Sequence, residues 1–340
     1  MIKHRIKHRI KHRIEHRIKH MIERRLALLI AIGIVSSSIG FPSTAQAAAQ
    51  SSSAEPFLGR WDLTLKSANR DYPSWLEIRR EGGNLTARMV GRWGNARPLP
   101  KIEIAQGKLV FVSPKDEEGS KEDLIFQGSL TGNTLSGAVN GPDGTTWHWV
   151  GERAPALIRQ NPPKWGKPIP LFNGKDLTGW KMDGPGPPAW TVRDGTLVSP
   201  GNGPELISDV KVQDFKLHLE FNCGKDSNSG VYLRGRYEVQ IETESQAEPP
   251  SHHTGGVYGF LAPSPELPRK PDVWQTFDIT LIGRKVTVVQ NGQTIIHDQE
   301  IPGITGGALN SYEGSPAPIY LQGTEKGHVA FRNIVVTPAE

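Results

Sequence analysis

The segment from Gly230 to Glu242 carries the side chains of this sequence best suited to chemistry on a polar substrate. If the segment is one extended strand, its side chains alternate between two faces. One face then carries the apolar residues Tyr237, Val239 and Ile241. The opposite face carries two carboxylates and an amide, from Glu238, Gln240 and Glu242. We therefore predict that this strand is the floor of a polar cleft that receives a sugar or a cation.

The spacing of the carboxylates restricts the chemistry. Retaining and inverting glycosidases place two carboxylates about 5 to 9 Å apart across the bond that they cleave. Glu238 and Glu242 are four residues apart, which is about 13 Å along a strand and too wide for that arrangement. Glu220, on a neighbouring predicted strand, would be closer to Glu238. Together with a histidine, Glu220, Glu238 and Glu242 would also suit a divalent cation such as Ca²⁺, Mg²⁺ or Mn²⁺.

The elements around this segment are predicted to be short strands throughout. Runs such as Trp61–Leu65 and Phe215–Phe221 alternate apolar and polar residues, and Gly- and Asn-containing turns separate them. No segment keeps a helical period of 3.6 residues. The fold class is therefore all-β: a small β-barrel or sandwich at residues 56–153, a Pro-rich linker at 154–168, and a larger jelly-roll sandwich at 169–340.

The amino-terminal residues predict export. Residues 2–20 repeat Ile-Lys-His-Arg, and Met21 is an alternative start. Arg24-Arg25, the apolar run 26–35 and Ala45-Gln46-Ala47 then have the order of a secretory signal peptide. We expect residues 1–47 to be a leader and 48–55 a flexible tether. The expected location is the periplasm or the extracellular space, with no membrane span in the mature chain.

The charge of the chain argues against a nucleic-acid-binding protein, and its cysteine content excludes a fold held by intrachain disulfides. The 340-residue chain has a net charge of +5, but the predicted leader contributes ten basic and two acidic residues, which leaves −3 for the mature part. The sequence therefore gives no support for a nucleic-acid partner. Cys223 is the single cysteine, so no intrachain disulfide can form, and we expect it to be a buried apolar side chain.

Several motifs appear in the order found in one known family. They begin with Leu171-Phe172-Asn173-Gly174-Lys175-Asp176-Leu177 and end with Phe331-Arg332-Asn333-Ile334. Between them lie Asn228-Ser229-Gly230-Val231-Tyr232, Tyr237-Glu238-Val239-Gln240-Ile241 and Gly256-Val257-Tyr258-Gly259. In this order, residues 168–338 resemble the 3-keto-disaccharide hydrolase domain family, which has a concanavalin-A/laminin-G-like sandwich fold. The chain departs from the family pattern at Glu242, where Asp is common, and in the turn 323–328.

The resemblance implies an enzyme that acts on 3-keto-glycosides. Their C3 carbonyl acidifies the C2–H bond, so cleavage can proceed by proton removal at C2 and loss of the group on C1. This route needs a base, a group that holds the enolate charge, and an acid for the leaving group. The predicted catalytic residues are Glu238, Glu242, Arg234 and His253. The predicted substrate-binding residues are Gln240, Glu220, Asn228, Tyr258, Trp274 and Gln322.

Other functions remain open from the sequence alone. Arg234 and Glu238 could form a structural ion pair, and such pairs contribute little to stability at a surface. The same polar face could belong to a carbohydrate-binding module without catalytic activity, since amides and exposed aromatic rings are sufficient to bind sugars. A third hypothesis is an envelope adaptor whose first domain binds a partner. The oligomeric state is not predicted.

Overall fold

The computed structural model describes residues 54–91, 94–184, 190–199, 201, 203–243, 248–324 and 327–340. The predicted leader (1–47) and most of the predicted tether (48–55) lie outside these residues. The predicted all-β class is confirmed, because the helices among the described residues are single turns. They are the 3₁₀ turns Glu55–Phe57 and Pro250–His252 and the α-helical turn Lys115–Glu118. No helix in the described part of the chain is long and apolar enough to cross a membrane.

The first third of the described chain forms one antiparallel meander, here called the first sheet. Its spatial order is β4-β3-β2-β1-β9-β8-β7-β6-β5, so consecutive strands are neighbours except β4 and β5, which are the two edge strands, and β1 pairs with β9. The bounds are β1 Gly59–Lys66, β2 Asp71–Glu81, β3 Asn84–Val90, β4 Ala96–Pro98, β5 Lys101–Ala105, β6 Lys108–Ser113, β7 Leu124–Thr131, β8 Thr134–Asn140 and β9 Thr146–Arg153. One face is packed with buried aromatic and aliphatic side chains, including Trp61, Leu63 and Trp149.

The remaining strands form two sheets that pack face to face. Their bounds are β10 Ile169–Pro170, β11 Trp180–Asp183, β12 Thr191–Arg193, β13 Thr196–Ser199, β14 Glu205–Val212, β15 Phe215–Cys223, β16 Asn228–Leu233, β17 Tyr237–Glu242, β18 Gln275–Ile282, β19 Lys285–Gln290, β20 Gln293–Glu300, β21 Ala317–Leu321 and β22 Val329–Pro338. The back sheet has the order β12-β13-β22-β15-β18-β19-β20, with β10 beside β22. The front sheet has the order β11-β14-β21-β16-β17.

The strand pattern of the sequence explains this sandwich. Alternate residues of β15, such as Leu217 and Leu219, and alternate residues of β17, such as Val239 and Ile241, belong to the same buried core. Each sheet therefore buries one face against the other, as in jelly-roll sandwiches. The predicted turn at Asn291-Gly292 joins β19 to β20. Both of its residues have positive φ, the conformation that two-residue hairpin turns of type I′ require.

The first sheet and the sandwich share part of one core. Trp75 and Val90 lie opposite each other on β2 and β3 and are buried among the hydrophobic residues of the sandwich. The Trp75 ring meets Phe260 edge to face, with the ring centroids 5.4 Å apart. Gly303 allows a close approach, because a Cβ at this position would lie 2.1 Å from the Trp75 indole nitrogen. Residues 50–340 accordingly form one compact unit.

Candidate functional site

The segment that the sequence presents as one strand is a hairpin. Residues 228–233 form β16 and residues 237–242 form β17, and the two strands pair antiparallel. The chain reverses at Arg234 and Gly235, which both have positive φ. Tyr232 therefore lies directly opposite Glu238, a contact that alternation along a single strand does not suggest. The predicted division of β17 into two faces is confirmed, since Tyr237, Val239 and Ile241 belong to the core.

The outer face of the front sheet carries a group of polar side chains that are buried or partly buried, here called the polar face. Strand pairing brings together Glu238, Gln240 and Glu242 of β17, Asn228 and Tyr232 of β16, Tyr320 of β21 with Gln322 just after it, and Glu205 of β14. The Tyr232 and Tyr320 rings stack with centroids 4.1 Å apart. Tyr232, Tyr320 and Glu205 were not predicted as site residues from the sequence. The motif Ile319-Tyr320-Leu321-Gln322 contained a signal, because Tyr320 alternates with the core residues Ile319 and Leu321.

Glu238 is the central carboxyl of the polar face, and it is only 4% exposed. Tyr232 donates a hydrogen bond to Glu238 Oε2 at 2.9 Å. The Gln240 amide satisfies both of its ends when its nitrogen donates to Ser229 O at 2.8 Å and to Glu238 Oε1 at 3.2 Å. Gly230 leaves room for the carboxyl, because a Cβ there would lie 2.4 Å from Glu238 Oε1.

Burial determines the ionisation of this group. Removal from water disfavours the carboxylate and raises the pKa of Glu238 to about 8, and nearby Glu205 acts in the same direction, whereas the hydrogen bond from Tyr232 opposes the shift. Burial also raises the pKa of Tyr232 well above its usual value, so this hydroxyl stays a donor at neutral pH. A carboxyl with a pKa near neutrality on a polar surface is typical of catalytic acids and bases.

Two loops cover the polar face around Glu238. The segment 250–261 runs along the free edge of β17, where Gly256 O accepts from Gln240 N at 2.9 Å and Tyr258 N donates to Glu238 O at 3.1 Å. The second loop contains Thr305 and Gly306. Thr305 Oγ1 accepts from Glu238 N at 3.0 Å, and Gly306 O lies 2.8 Å from the Tyr232 hydroxyl oxygen, where it is the alternative acceptor to Glu238 for the single hydroxyl hydrogen. The half-exposed Tyr258 lies beside these contacts.

The far end of the polar face contains a second charged group. The Glu242 carboxylate lies 3.0 Å from Arg269 Nε, and both side chains are largely buried. Arg269 also approaches Glu266 at 3.9 Å, and Glu266 is 2.9 Å from His253 Nδ1. His253 is thus brought near Glu242 rather than Glu238. The structure places the predicted residues Glu242 and His253 in an ion-pair network beside the central carboxyl.

The amide side chains of Gln322 and Asn228 complete the polar face. Gln322 Oε1 is buried and has no hydrogen-bond partner among the described residues. Such oxygens are rare in folded proteins and are suited to a ligand hydroxyl. Asn228, at the start of β16, lies opposite Glu242. Gln322 is tied to β16 through its own backbone, since its N–H donates to Gly230 O at 2.9 Å and its carbonyl accepts from Ser229 Oγ at 2.8 Å.

Arg234 does not reach the polar face. It is fully buried at the hairpin turn, where Nη2 donates to Tyr237 Oη at 3.0 Å and to Gly283 O at 2.6 Å. Tyr237 belongs to the core between the sheets, and Gly283 lies in the β18–β19 turn of the back sheet. The expected approach of Arg234 to Glu238 is therefore wrong, because the turn directs the guanidinium towards the core instead.

Glu220 and Trp274 lie on the opposite side of the sandwich. Glu220 is on the outer face of β15 in the back sheet, where Arg332 Nη2 is 2.7 Å away. The Arg332 guanidinium also stacks over the Trp274 ring at 4.0 Å. The expectation that Glu220 is close to Glu238 is wrong, because β15 and β17 belong to different sheets whose outer faces point apart. Trp274 is separated from the polar face for the same reason.

The predicted cation set does not fit this geometry. Glu220 is on the other sheet, Glu238 is bound by Tyr232 and Gln240, and Glu242 is paired with Arg269. Among the described residues, no three His, Cys, Asp or Glu side chains are grouped as ligands of one metal ion. These three carboxylates therefore do not form a common metal site. Cys223 is buried as expected, and burial raises the pKa of its thiol to about 12.

Comparison with known proteins assigns the sandwich to a family. Residues 167–337, half of the chain, match the family described as the 3-keto-alpha-glucoside-1,2-lyase-like domain. The chain belongs to this family. The match begins just before β10 and ends within β22, so it contains the whole polar face and leaves out the first sheet.

Individual relatives are more distant. A 3-keto-disaccharide hydrolase from Bacteroides thetaiotaomicron is 32% identical over an alignment of 75 residues, which covers 19% of this chain. The matched part is 26% of that relative, so the chain spans about a quarter of its length. A crystal structure of a candidate glycosyl hydrolase from Parabacteroides distasonis is 26% identical, with a TM-score of 0.43, over 53% of this chain and 92% of that one. A carbohydrate-binding module from Bacillus subtilis is 12% identical, with a TM-score of 0.29, over 46% of this chain and 93% of that one.

Proposed function

We propose that this protein is an exported enzyme that cleaves 3-keto-glycosides, with Glu238 as the base that removes the proton from C2. The observation that carries the proposal is the buried Glu238 carboxyl, oriented by Tyr232 and Gln240 on the polar face, with a pKa raised to about 8. A general base is most effective when its pKa is near the working pH. The family name and the name of the Bacteroides relative support 3-keto-glycosides as the proposed substrate class.

The reaction begins at the C2–H bond of the 3-keto sugar. The Glu238 carboxylate takes the proton, and the electron pair of that bond forms the C2=C3 double bond of an enolate. The enolate oxygen then re-forms the C3 carbonyl, and the C2=C3 electron pair shifts to form C1=C2. The C1–O bond breaks, and its electron pair stays on the aglycone oxygen. The aglycone leaves with its oxygen and receives a proton. The sugar is left as an unsaturated ketone, and Glu238 carries the proton from C2.

One first step accounts for both family names. A lyase stops at the unsaturated ketone, which is elimination across C1 and C2. A hydrolase goes one step further and adds water across the C1=C2 bond of that ketone. The hydroxyl of the water bonds to C1 and a proton bonds to C2, which gives a free 3-keto sugar. In this proposal protonated Glu238 exchanges its proton with solvent water and then donates a proton to C2. The proposal therefore covers hydrolysis by elimination and hydration without a second carboxylate at glycosidase spacing.

Other residues of the polar face have supporting roles in this proposal. Tyr232 can turn its hydroxyl from Gly306 O or Glu238 to the substrate, and a hydroxyl donor at the C3 oxygen would stabilise the enolate. Gln322 and Asn228 are suited to the sugar hydroxyls through their amides. Tyr258, half-exposed beside Glu238, is the candidate for protonating the aglycone or stacking on it. Arg234, Glu220 and Trp274 have no part in the proposed site.

Export is the second part of the proposal, to the periplasm or beyond. It is supported by the order of basic residues, apolar run and Ala-Gln-Ala site within residues 1–47. The proposal expects a carbohydrate as the ligand of the mature protein.

A carbohydrate-binding module without activity is the competing function. The unpartnered Gln322 oxygen favours it, since a ligand hydroxyl would satisfy that oxygen with or without catalysis. The two functions differ in Glu238, because binding alone does not need a carboxyl with a raised pKa.

The purified protein should be incubated with a 3-keto-α-glucoside and with the unoxidised parent glucoside, each with and without EDTA, and the products measured by mass spectrometry. Release of the aglycone from the keto compound alone is the expected result. Binding of either sugar without release would overturn the proposal in favour of a binding module. Loss of release in EDTA would show that a divalent cation is needed, at ligands other than the predicted carboxylate set.

A further inference from the structure

The first sheet reaches the polar face through Gly94 and Asn95, which directly precede β4 and lie outside the family match. Gly94 O accepts a hydrogen bond from Gly306 N at 3.0 Å. Asn95 Nδ2 lies 2.9 Å from His252 Nε2. Each of the two loops that cover Glu238 is therefore bound by one residue of the same dipeptide.

The orientation of the Asn95 amide follows from its neighbours. Arg97 Nη1 donates to Asn95 Oδ1 at 2.7 Å, which places the amide oxygen on the arginine side. The amide nitrogen then faces His252 and donates, so His252 Nε2 is an acceptor. The other ring nitrogen, Nδ1, carries the proton and donates to Glu248 Oε2 at 2.9 Å. Asn95 thus fixes both the tautomer and the orientation of the buried His252 ring.

His252 transmits this orientation to Glu238 through Tyr258. The two rings stack with their centroids 4.1 Å apart and their planes 17° apart. The backbone N–H of Tyr258 donates to Glu238 O at 3.1 Å. On the other side, the Tyr232 hydroxyl lies within hydrogen-bond distance of both Gly306 O and Glu238 Oε2. Asn95 and Gly94 are therefore each connected to Glu238 by a chain of contacts.

Two glycines of the sandwich fit this dipeptide closely. A Cβ at Gly259 would lie 2.3 Å from Asn95 Cβ, and a Cβ at Gly306 would lie 2.3 Å from Gly94 O. Any larger residue would push the first sheet away from one loop. The contact therefore depends on backbone approach at both loops as well as on the hydrogen bonds.

We infer that Asn95 is a positioning residue of the site, acting through His252 and Tyr258, and that the first sheet is part of the site rather than an appended module. This inference rests on the proposed function for its kinetic consequence. Its structural content, the ordering of segment 250–261 by Asn95, is independent of the reaction.

A double-mutant cycle on the full chain tests the kinetic consequence. The variants are Asn95→Ala, His252→Phe, which keeps a ring against Tyr258, and the double variant. Asn133→Ala is the matched control, because Asn133 also accepts from an arginine, Arg153 Nε at 3.2 Å, but lies in the β7–β8 turn. The readouts are kcat and KM for release of nitrophenol from a nitrophenyl 3-keto-α-glucoside, together with the melting temperature.

We expect Asn95→Ala to lower kcat at least tenfold with less than a threefold change in KM, and Asn133→Ala to stay within twofold of the wild type. In the His252→Phe background, Asn95→Ala should change kcat less than twofold, since the two residues act as one unit. A kcat within twofold of the wild type for Asn95→Ala would overturn the inference, and so would an undiminished effect in the His252→Phe background.

Hydrogen–deuterium exchange separates this inference from the proposed function. Asn95→Ala should speed amide exchange in segment 250–261, and Asn133→Ala should not. If the wild type releases no aglycone, the proposed function fails and exchange alone decides the inference. Faster exchange in that segment would support the docking role of Asn95, and unchanged exchange would overturn it.

Discussion

Glu238 combines a polar position with almost complete burial, and its proposed role follows from this combination. A surface carboxylate is ionised but weakly basic, whereas burial makes the ionised form of Glu238 a stronger base. The hydrogen bond from Tyr232 keeps the carboxyl oriented and partly offsets the cost of its charge. The front sheet thereby holds a base whose pKa is suited to neutral or mildly alkaline conditions.

The pH dependence of turnover tests this property of Glu238. Because Glu238 must be ionised to accept the C2 proton and its pKa is raised to about 8, kcat/KM should rise with pH and level off above about 8. The measurement is a pH–rate profile from pH 5 to 10 on a 3-keto-α-glucoside, corrected for enzyme-free decay. A profile that levels off already near pH 4 to 5 would contradict the assigned environment of Glu238.

At the same scale, residue patterns predicted part of the site. Alternation along β17 correctly placed Glu238, Gln240 and Glu242 on one face, because strand geometry fixes this from sequence alone. The orientation of Arg234 could not be predicted, since it depends on a left-handed turn at a residue other than glycine. The partner of Glu242, Arg269, is 27 residues further along the chain and carries no local signal.

At the scale of elements, the edge of β17 is protected by a segment whose regular structure is a single 3₁₀ turn, Pro250–His252. Residues 250–261 supply backbone hydrogen bonds to Gln240 and Glu238, and Val257 bridges to Val239. An uncovered strand edge is open to pairing with other chains, and this segment closes it. The same contacts hold the backbone of Glu238, so the cover of the edge is also a support of the site.

Gly256 is the position where this support is most sensitive. A Cβ there would lie 2.9 Å from Ser251 O and 3.0 Å from both His253 O and Leu261 O, all backbone atoms. We expect Gly256→Ala to destabilise the protein by about 1 to 3 kcal/mol and to lower kcat. Gly314→Ala is the control, because its Cβ would meet only Pro155 Cγ at 3.8 Å. Thermal unfolding and turnover of both variants are the measurements, and equal behaviour of the two would refute the role of the segment.

The sequence predicted most strands but not how they pair. Hairpins with Gly-containing turns were predictable, as at Asn291-Gly292, because the turn chemistry is local. The β16–β17 hairpin was missed although Gly235 lies in its turn, because Arg234 also has positive φ there and arginine does not mark such a turn by residue type. Glu205 and Tyr320 could not be assigned to the site, since β14, β21 and β16 become neighbours only through pairing across about 90 residues or more of chain.

At the scale of the whole molecule, the first sheet and the sandwich are joined by a buried charged network. Asp62 of β1 hydrogen-bonds with Glu313 of the sandwich, and Glu313 also pairs with Arg284. Burial and the charge of Glu313 raise the pKa of Asp62 well above its usual range, although Arg284 and Arg236 oppose this. Asp62 is therefore protonated at neutral pH and shares its proton with Glu313.

The raised pKa of Asp62 makes the stability of the fold depend on pH. The folded state binds a proton at Asp62 that the unfolded chain releases above about pH 4, so the free energy of unfolding falls as pH rises towards the folded pKa. Asn resembles the protonated form and needs no proton uptake on folding, so Asp62→Asn should have a higher melting temperature than the wild type at pH 6 and should lose less stability between pH 6 and 9. A strong loss of stability at pH 6 would show that Asp62 is ionised and bound by Arg284 or Arg236.

The central claim is that Glu238 removes the C2 proton before the glycosidic bond breaks. Its most direct test is the reaction of a 3-keto-α-glucoside in D₂O with the wild type and with Glu238→Gln. The released sugar is reduced at C3, returned to H₂O and weighed by mass spectrometry. The account predicts one deuterium fixed at C2 for the wild type, and turnover reduced by about 10²- to 10⁴-fold for Glu238→Gln with binding retained. Release of a sugar without deuterium, or full turnover by Glu238→Gln, would contradict it.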